Sequence, residues 1–135
     1  MLIYTDTGDV LLLERLNPTG FWQSVTGSLA WDETPLQTAE REVAEETGLN
    51  VSGRLIDCET VNRYPILPAW RPRYDPDVDH NTEHVFRITY SHRPDIQLNP
   101  DEHHTFRWLC RDEAARLASS KTNQDAILRY VGKRT

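Results

Sequence analysis

Between Gly27 and Leu49 the chain reads "GSLAWDETPLQTAEREVAEETGL", with six acids (Asp32, Glu33, Glu40, Glu42, Glu45, Glu46) against one base, Arg41. Acids four apart on a helix each destabilise it by a few tenths of a kcal/mol, about 0.2–0.5. Glu42, Glu45 and Glu46 follow the spacing i, i+3, i+4, which puts them on one helix face with carboxylates able to converge. Arg41 points elsewhere, four residues before Glu45 and eight after Glu33. The plain alternative is a solvated acidic face. Against it, these acids lie towards the helix C-terminus, where the macrodipole disfavours anions. A bound dication would convert the repulsion into coordination. Oxygen donors, with no Cys or His at ligand spacing nearby, favour Mg²⁺, with Mn²⁺ as the alternative, over zinc.

The element that must position these acids is well marked. Thr34 suits an N-cap, Pro35 the first helical position, and Gln37 completes a T-x-x-Q capping box. Gly48 is placed to end the helix, which therefore spans residues 35–47, with Leu36, Ala39 and Val43 on the core face. "DVLLLERL", "FWQSVTGSL", "RLIDCETV", "EHVFRITY" and "TFRWL" read as strands, and residues 112–118 and 123–131 as two short closing helices. "MLIY" runs straight into a turn, as the end of a first strand whose earlier residues precede Met1. Between Asn62 and Thr82 a Pro- and aromatic-rich stretch reads as one long loop. There Tyr64, Trp70 and Tyr74 alternate with Arg63, Arg71 and Arg73, fit either to stack on a planar ring or to anchor the loop. This order of elements suggests an α/β or α+β sandwich.

The totals bound the answer. A chain of 135 residues holds one core, so residues 1–135 form a single domain. A net charge of −6 and a pI near 5.3 argue against a nucleic-acid polymer as partner. No apolar run approaches the roughly 18–20 residues of a membrane span, and no segment reads as a signal peptide. Cys58 and Cys110 form no CxxC and read as reduced thiols of a cytoplasmic protein. His103 and His104, adjacent on a strand, point to opposite faces and read as surface or supporting residues. Trp22 and Trp108 read as core.

The acidic segment resembles the Nudix box, G-x5-E-x7-R-E-U-x-E-E-x-G-U with U aliphatic, at every fixed position. These are Gly27, Glu33, Arg41, Glu42, Val43, Glu45, Glu46, Gly48 and Leu49. The resemblance implies a Nudix α/β/α sandwich with a mixed sheet and a catalytic loop-helix-loop. It also implies hydrolysis of a nucleoside diphosphate linked to another group, with divalent metal held by glutamates. Glu33 and Arg41 would orient the helix. Outside the box, "FWQSVTGS", "LIDC", "RPRYDP" with "NTE", "DEHHTFRWL" and "TNQDAI" resemble the bacterial members that remove pyrophosphate from dihydroneopterin triphosphate in folate synthesis.

By position, that likeness implies metal ligands Glu42, Glu46 and Glu102, and contacts to a small triphosphate from Arg15, Thr26 and Ser120. Glu45, Glu46 and Glu102 are each eligible to take the proton from water. Arg15 offers a fork for phosphate oxygens, or else is a surface arginine at a strand end. Two rivals stand beside this reading. One is a pyrophosphatase of ordinary or oxidised dNTPs. The other is a nucleotide-sensing module without chemistry, for which the complete set of glutamates would be unnecessary.

Overall fold

Three consecutive leucines, Leu11 to Leu13, are all fully buried, which a strand achieves only when both its faces are covered. They lie in β2 (Asp9–Arg15) of a computed structural model that describes residues 1–16, 19–26, 32–65 and 80–132. The other elements are β1 (Leu2–Thr5), β3 (Trp22–Gln23), α1 (Pro35–Thr47), β4 (Ile56–Pro65), β5 (His80–Tyr90), β6 (His103–Cys110), α2 (Arg111–Leu117) and α3 (Lys121–Tyr130).

The six strands form one sheet in the order β3-β2-β1-β5-β4, with β6 also paired to β2. β1 runs parallel to β5, and the remaining pairs are antiparallel, so the sheet is mixed. Alternation then sorts the side chains. Leu2, Tyr4, Val10 and Leu12 face one way and pack with Ala114, Ala115, Ala126 and Ile127 of α2 and α3. Ile3, Leu11 and Leu13 face the other way and pack with Val43 of α1 and with Val25, Val51 and Ile88. The result is the α/β/α sandwich expected.

The helix bounds of α1 agree with the sequence reading residue for residue. Leu36 does not join the core: it is 42% exposed, and Thr38, Ala39 and Val43 carry the buried face. Leu36 lies in the first turn, before the helix has closed onto the sheet. The long excursion is also narrower than read from sequence, because β4 continues to Pro65 and β5 begins at His80. Trp70, Arg71, Arg73 and Tyr74, and Gly27 of the acidic motif, lie outside the described residues, as do the side chains of Arg63 and Tyr64. β3 is only two residues long, and the closing helices each begin one or two residues early. Trp22 and Trp108 are partly buried, Trp22 against one core under the Arg107 guanidinium and Trp108 against the other.

Candidate active site

The ends of α1 are fixed by backbone chemistry, and this fixes its glutamates. At the start, the Thr34 hydroxyl accepts from the Gln37 amide at 3.2 Å, and the Gln37 side chain accepts from the Thr34 amide at 2.9 Å. At the end, Gly48 turns left-handed (φ 75°) and its N–H donates to the Ala44 carbonyl. The Thr47 carbonyl then accepts from the Gln97 amide at 2.8 Å, which docks the segment leading into β6 against the helix end. A Cβ at Gly48 would sit 3.0 Å from the Gln97 Cβ, so any side chain there would push that segment away.

The docked segment carries Glu102. Its backbone is held on both sides: the Glu102 amide donates to the Asn99 carbonyl, and the Glu102 carbonyl accepts from the Leu16 amide at 2.9 Å. A loop therefore presents Glu102 beside the glutamate helix, as expected. The strand that follows has a register shift. Glu14 pairs with Thr105 but Arg15 pairs with His103, so His103 and His104 together oppose one residue of β2. Such a bulge re-aims a side chain. Phe106 and Trp108 pack on the α1 side, and simple alternation from them would send His104 there. The bulge sends His103 instead.

His103 is accordingly 2% exposed and His104 is exposed. This removes the surface alternative for His103 and leaves it beside the carboxylates as a buried residue of the site. Donor atoms of Glu46, Glu102 and His103 all lie within 4.8 Å of one another. Glu46 is 2% exposed, and its Oε1 lies 3.6 Å from His103 Nε2, too far for a hydrogen bond. Glu46 Oε2 and both ring nitrogens of His103 are buried without a hydrogen-bond partner. Buried polar atoms are seldom left so.

The electrostatics have the same cause. Burial, then the charges of Glu42 and Glu102, pushes the Glu46 carboxyl up to about 9, with the Met1 amine and Arg15 pulling the other way. Burial, helped by Arg15, holds the His103 imidazole down at about 4. At neutral pH without a cation both groups are therefore neutral, and their contact is no ion pair. A divalent cation fits this place, since it would satisfy the orphaned atoms and offset the crowding of carboxylates.

Glu42 and Glu45 stand apart from that trio. Glu42 is partly buried, and burial raises its carboxyl against the pull of Arg41, whose Nη1 donates to it at 2.7 Å. Its charge still reaches Glu46. Glu45 turns outwards, 51% exposed, with Arg41 at 3.3 Å. Arg41 does not point away, as the helical projection suggested. Its Nε and Nη2 grip the two oxygens of Glu33 at 2.7 and 2.8 Å while Nη1 reaches Glu42 and Glu45. One guanidinium thus ties the segment before the helix to the helix's own acids.

The expected triphosphate contacts occupy three places. Arg15 ends β2 beside His103, and its charge reaches both His103 and Glu46. Thr26 lines a pocket that combines apolar Leu2, Val85 and Ala126 with polar Glu83 and Asn123. Ser120 caps α3, its hydroxyl accepting from the Asn123 amide at 3.2 Å. The Asn123 side chain in turn clasps Ser24, accepting from its amide at 2.9 Å and donating to its hydroxyl at 3.0 Å. Helix α3 is so fastened to the segment that carries Thr26. The Met1 amine donates to the Val25 carbonyl at 2.8 Å, and its charge reaches Glu46 and Glu83. Met1 also lines the pocket, so its amine is the group there whose charge is felt at Glu46.

Comparison with known proteins bears on the fold and the family. The NUDIX domain family matches residues 1–131. The chain is 40% identical to the dihydroneopterin triphosphate diphosphatase of Escherichia coli K12 over 135 aligned positions, covering 97% of this chain and 89% of that protein. It is 38% identical to the protein of the same name from Haemophilus influenzae, covering 97% and 84%. The solved structure of the E. coli dihydroneopterin triphosphate pyrophosphohydrolase superposes with a TM-score of 0.91 at 40% identity, over 96% of this chain and 90% of that one.

Proposed function

The chain belongs to the NUDIX family, and from that premise we propose that it is a single-domain pyrophosphohydrolase of dihydroneopterin triphosphate, using Mg²⁺ or, as an alternative, Mn²⁺. The observation that carries this reading is a near-full-length likeness to the two dihydroneopterin triphosphate diphosphatases. It is supported by the buried Glu46 carboxyl, whose Oε2 lacks a hydrogen-bond partner, close to Glu102.

A triphosphate and a protein of net charge −6 repel each other, so the site must supply positive charge locally. A bound divalent cation would supply Lewis-acid activation and would offset the negative charge that develops on the phosphates. Glu46 and Glu102 hold it, with Glu42 alongside. Glu33 and Arg41 keep the helix and its acids in place. Arg15 offers two parallel N–H donors to phosphate oxygens, and Thr26 and Ser120 supply hydroxyls. One carboxylate among Glu45, Glu46 and Glu102 accepts the proton of the attacking water. A bond from water oxygen to phosphorus forms, the bond from phosphorus to the bridging oxygen breaks, and pyrophosphate departs.

No helix among the described residues is long and apolar enough to cross a membrane. The reading places the enzyme in the cytoplasm, where its free cysteines, Cys58 and Cys110, stay reduced. Phosphorus NMR of the reaction tests the chemistry. The expected first products are dihydroneopterin monophosphate and pyrophosphate. Orthophosphate and a diphosphate as the first products would refute it.

A further inference from the structure

Among the described residues, a buried imidazole with neither nitrogen satisfied calls for an explanation. His103 is 2% exposed, both its ring nitrogens lack partners, and it is aimed at two carboxylates. Leaving such a group without a hydrogen bond costs about 1–3 kcal/mol. The bulge at Arg15 exists in the backbone and turns this residue, rather than exposed His104, towards α1. A neutral imidazole needs one acceptor and one donor or cation, and Glu46 at 3.6 Å supplies neither.

We propose that His103 is a nitrogen ligand of the divalent cation held by Glu46 and Glu102, which makes the centre a mixed oxygen–nitrogen one. The inference rests on the metal-site reading above. With bonds of about 2.1 Å, ligand atoms around an octahedral ion lie about 3 Å apart when adjacent and about 4.2 Å when opposite. The three donors here, within 4.8 Å of each other, need shift little to meet one ion. An imidazole donor also sets a preference. It suits later first-row ions better than Mg²⁺, which favours oxygen alone, so Mn²⁺ and Co²⁺ gain relative to Mg²⁺.

The test is pulsed EPR of the full chain loaded with Mn²⁺, without substrate, read for ¹⁴N coupling from a directly bound imidazole. The wild type is expected to show that coupling and His103→Gln to lose it, while His104→Gln keeps it. His103→Gln should also raise the Mn²⁺ Kd by at least about tenfold and the Mg²⁺ Kd by less. One Mn²⁺ bound in a Glu46-dependent way with no nitrogen coupling would overturn the inference and leave the metal site standing. Coupling that persists in His103→Gln would overturn it as well. If Mn²⁺ does not bind, or binds equally to Glu46→Gln, both readings fall. Should His103→Gln not fold, absence of nitrogen coupling in the wild type still overturns the inference, and coupling that survives in His104→Gln but vanishes in Glu46→Gln supports it.

Discussion

Replacing Glu46 with Gln is expected to cut turnover by about a thousandfold or more while the fold survives, since each tenfold loss is about 1.4 kcal/mol of transition-state stabilisation. The side chain is buried, keeps an oxygen without a partner, and stands within reach of Glu102 and His103. Gln has the shape of the protonated carboxyl that Glu46 becomes when no cation is present, so the metal-free variant should be as stable as wild type or slightly more so. The pH dependence adds a second readout. With the folded carboxyl near 9 and an unfolded value of about 4.3, the folded state holds a proton that the unfolded chain has lost. Metal-free stability therefore falls as pH rises across that interval, by at most about 1.4 kcal/mol per unit. His103, held at about 4, and the buried Met1 amine, lowered from its usual 8.0 by burial, both work in the opposite sense, below about pH 6.5 and about pH 8 respectively. The Glu46 contribution is therefore read as the difference between wild type and Glu46→Gln. Thermal melts in chelator should show wild-type Tm falling relative to that of Glu46→Gln as pH rises from about 6.5 to about 9. Wild-type-like turnover, or an unchanged slope, would contradict the assignment.

Glu102→Ala carries the second large effect. Its backbone is clamped between Leu16 and Asn99, and its carboxylate lies with Glu46 and His103 although the residue is exposed. Loss of a ligand should move the Mg²⁺ activation curve to higher concentration and lower kcat even at saturation. Loss of an ordinary surface acid would change stability by less than about 0.5 kcal/mol and activity hardly at all. Asp101→Ala is the internal control, because Asp101 is exposed one residue away and its amide is already satisfied by the Asn99 side chain. Titrating Mg²⁺ against activity in both variants should separate them clearly. Superimposable curves would remove Glu102 from the site.

How much of this was legible in the sequence depends on how far each signal reaches. Helix α1 announces itself locally, through the Thr34–Gln37 box, Pro35 and Gly48, and its bounds match to the residue. β2 is legible for the same reason, since its leucine run needs no knowledge of partners. His103 was not. Strand alternation says that one of two adjacent histidines faces inwards, but the choice depends on a register shift between β2 and β6, about 90 residues apart in the chain. The pair beside Glu102 was visible, and the bulge that gives it meaning was not. Arg41 was misjudged for a related reason. A helical projection follows Cα directions, whereas a long guanidinium side chain can reach back to Glu33 and forward to Glu45 at once. The Asn123 clasp on Ser24 links residues 99 apart, and no local pattern encodes it.

The central claim is that this metal-assisted site serves a pterin triphosphate. It is tested most directly by comparing kcat/KM for dihydroneopterin triphosphate with GTP, dGTP and an oxidised dGTP, all with saturating Mg²⁺. The expected result is a preference for the pterin substrate of at least about tenfold, about 1.4 kcal/mol of differential transition-state binding. A purine triphosphate hydrolysed as well or better would contradict it.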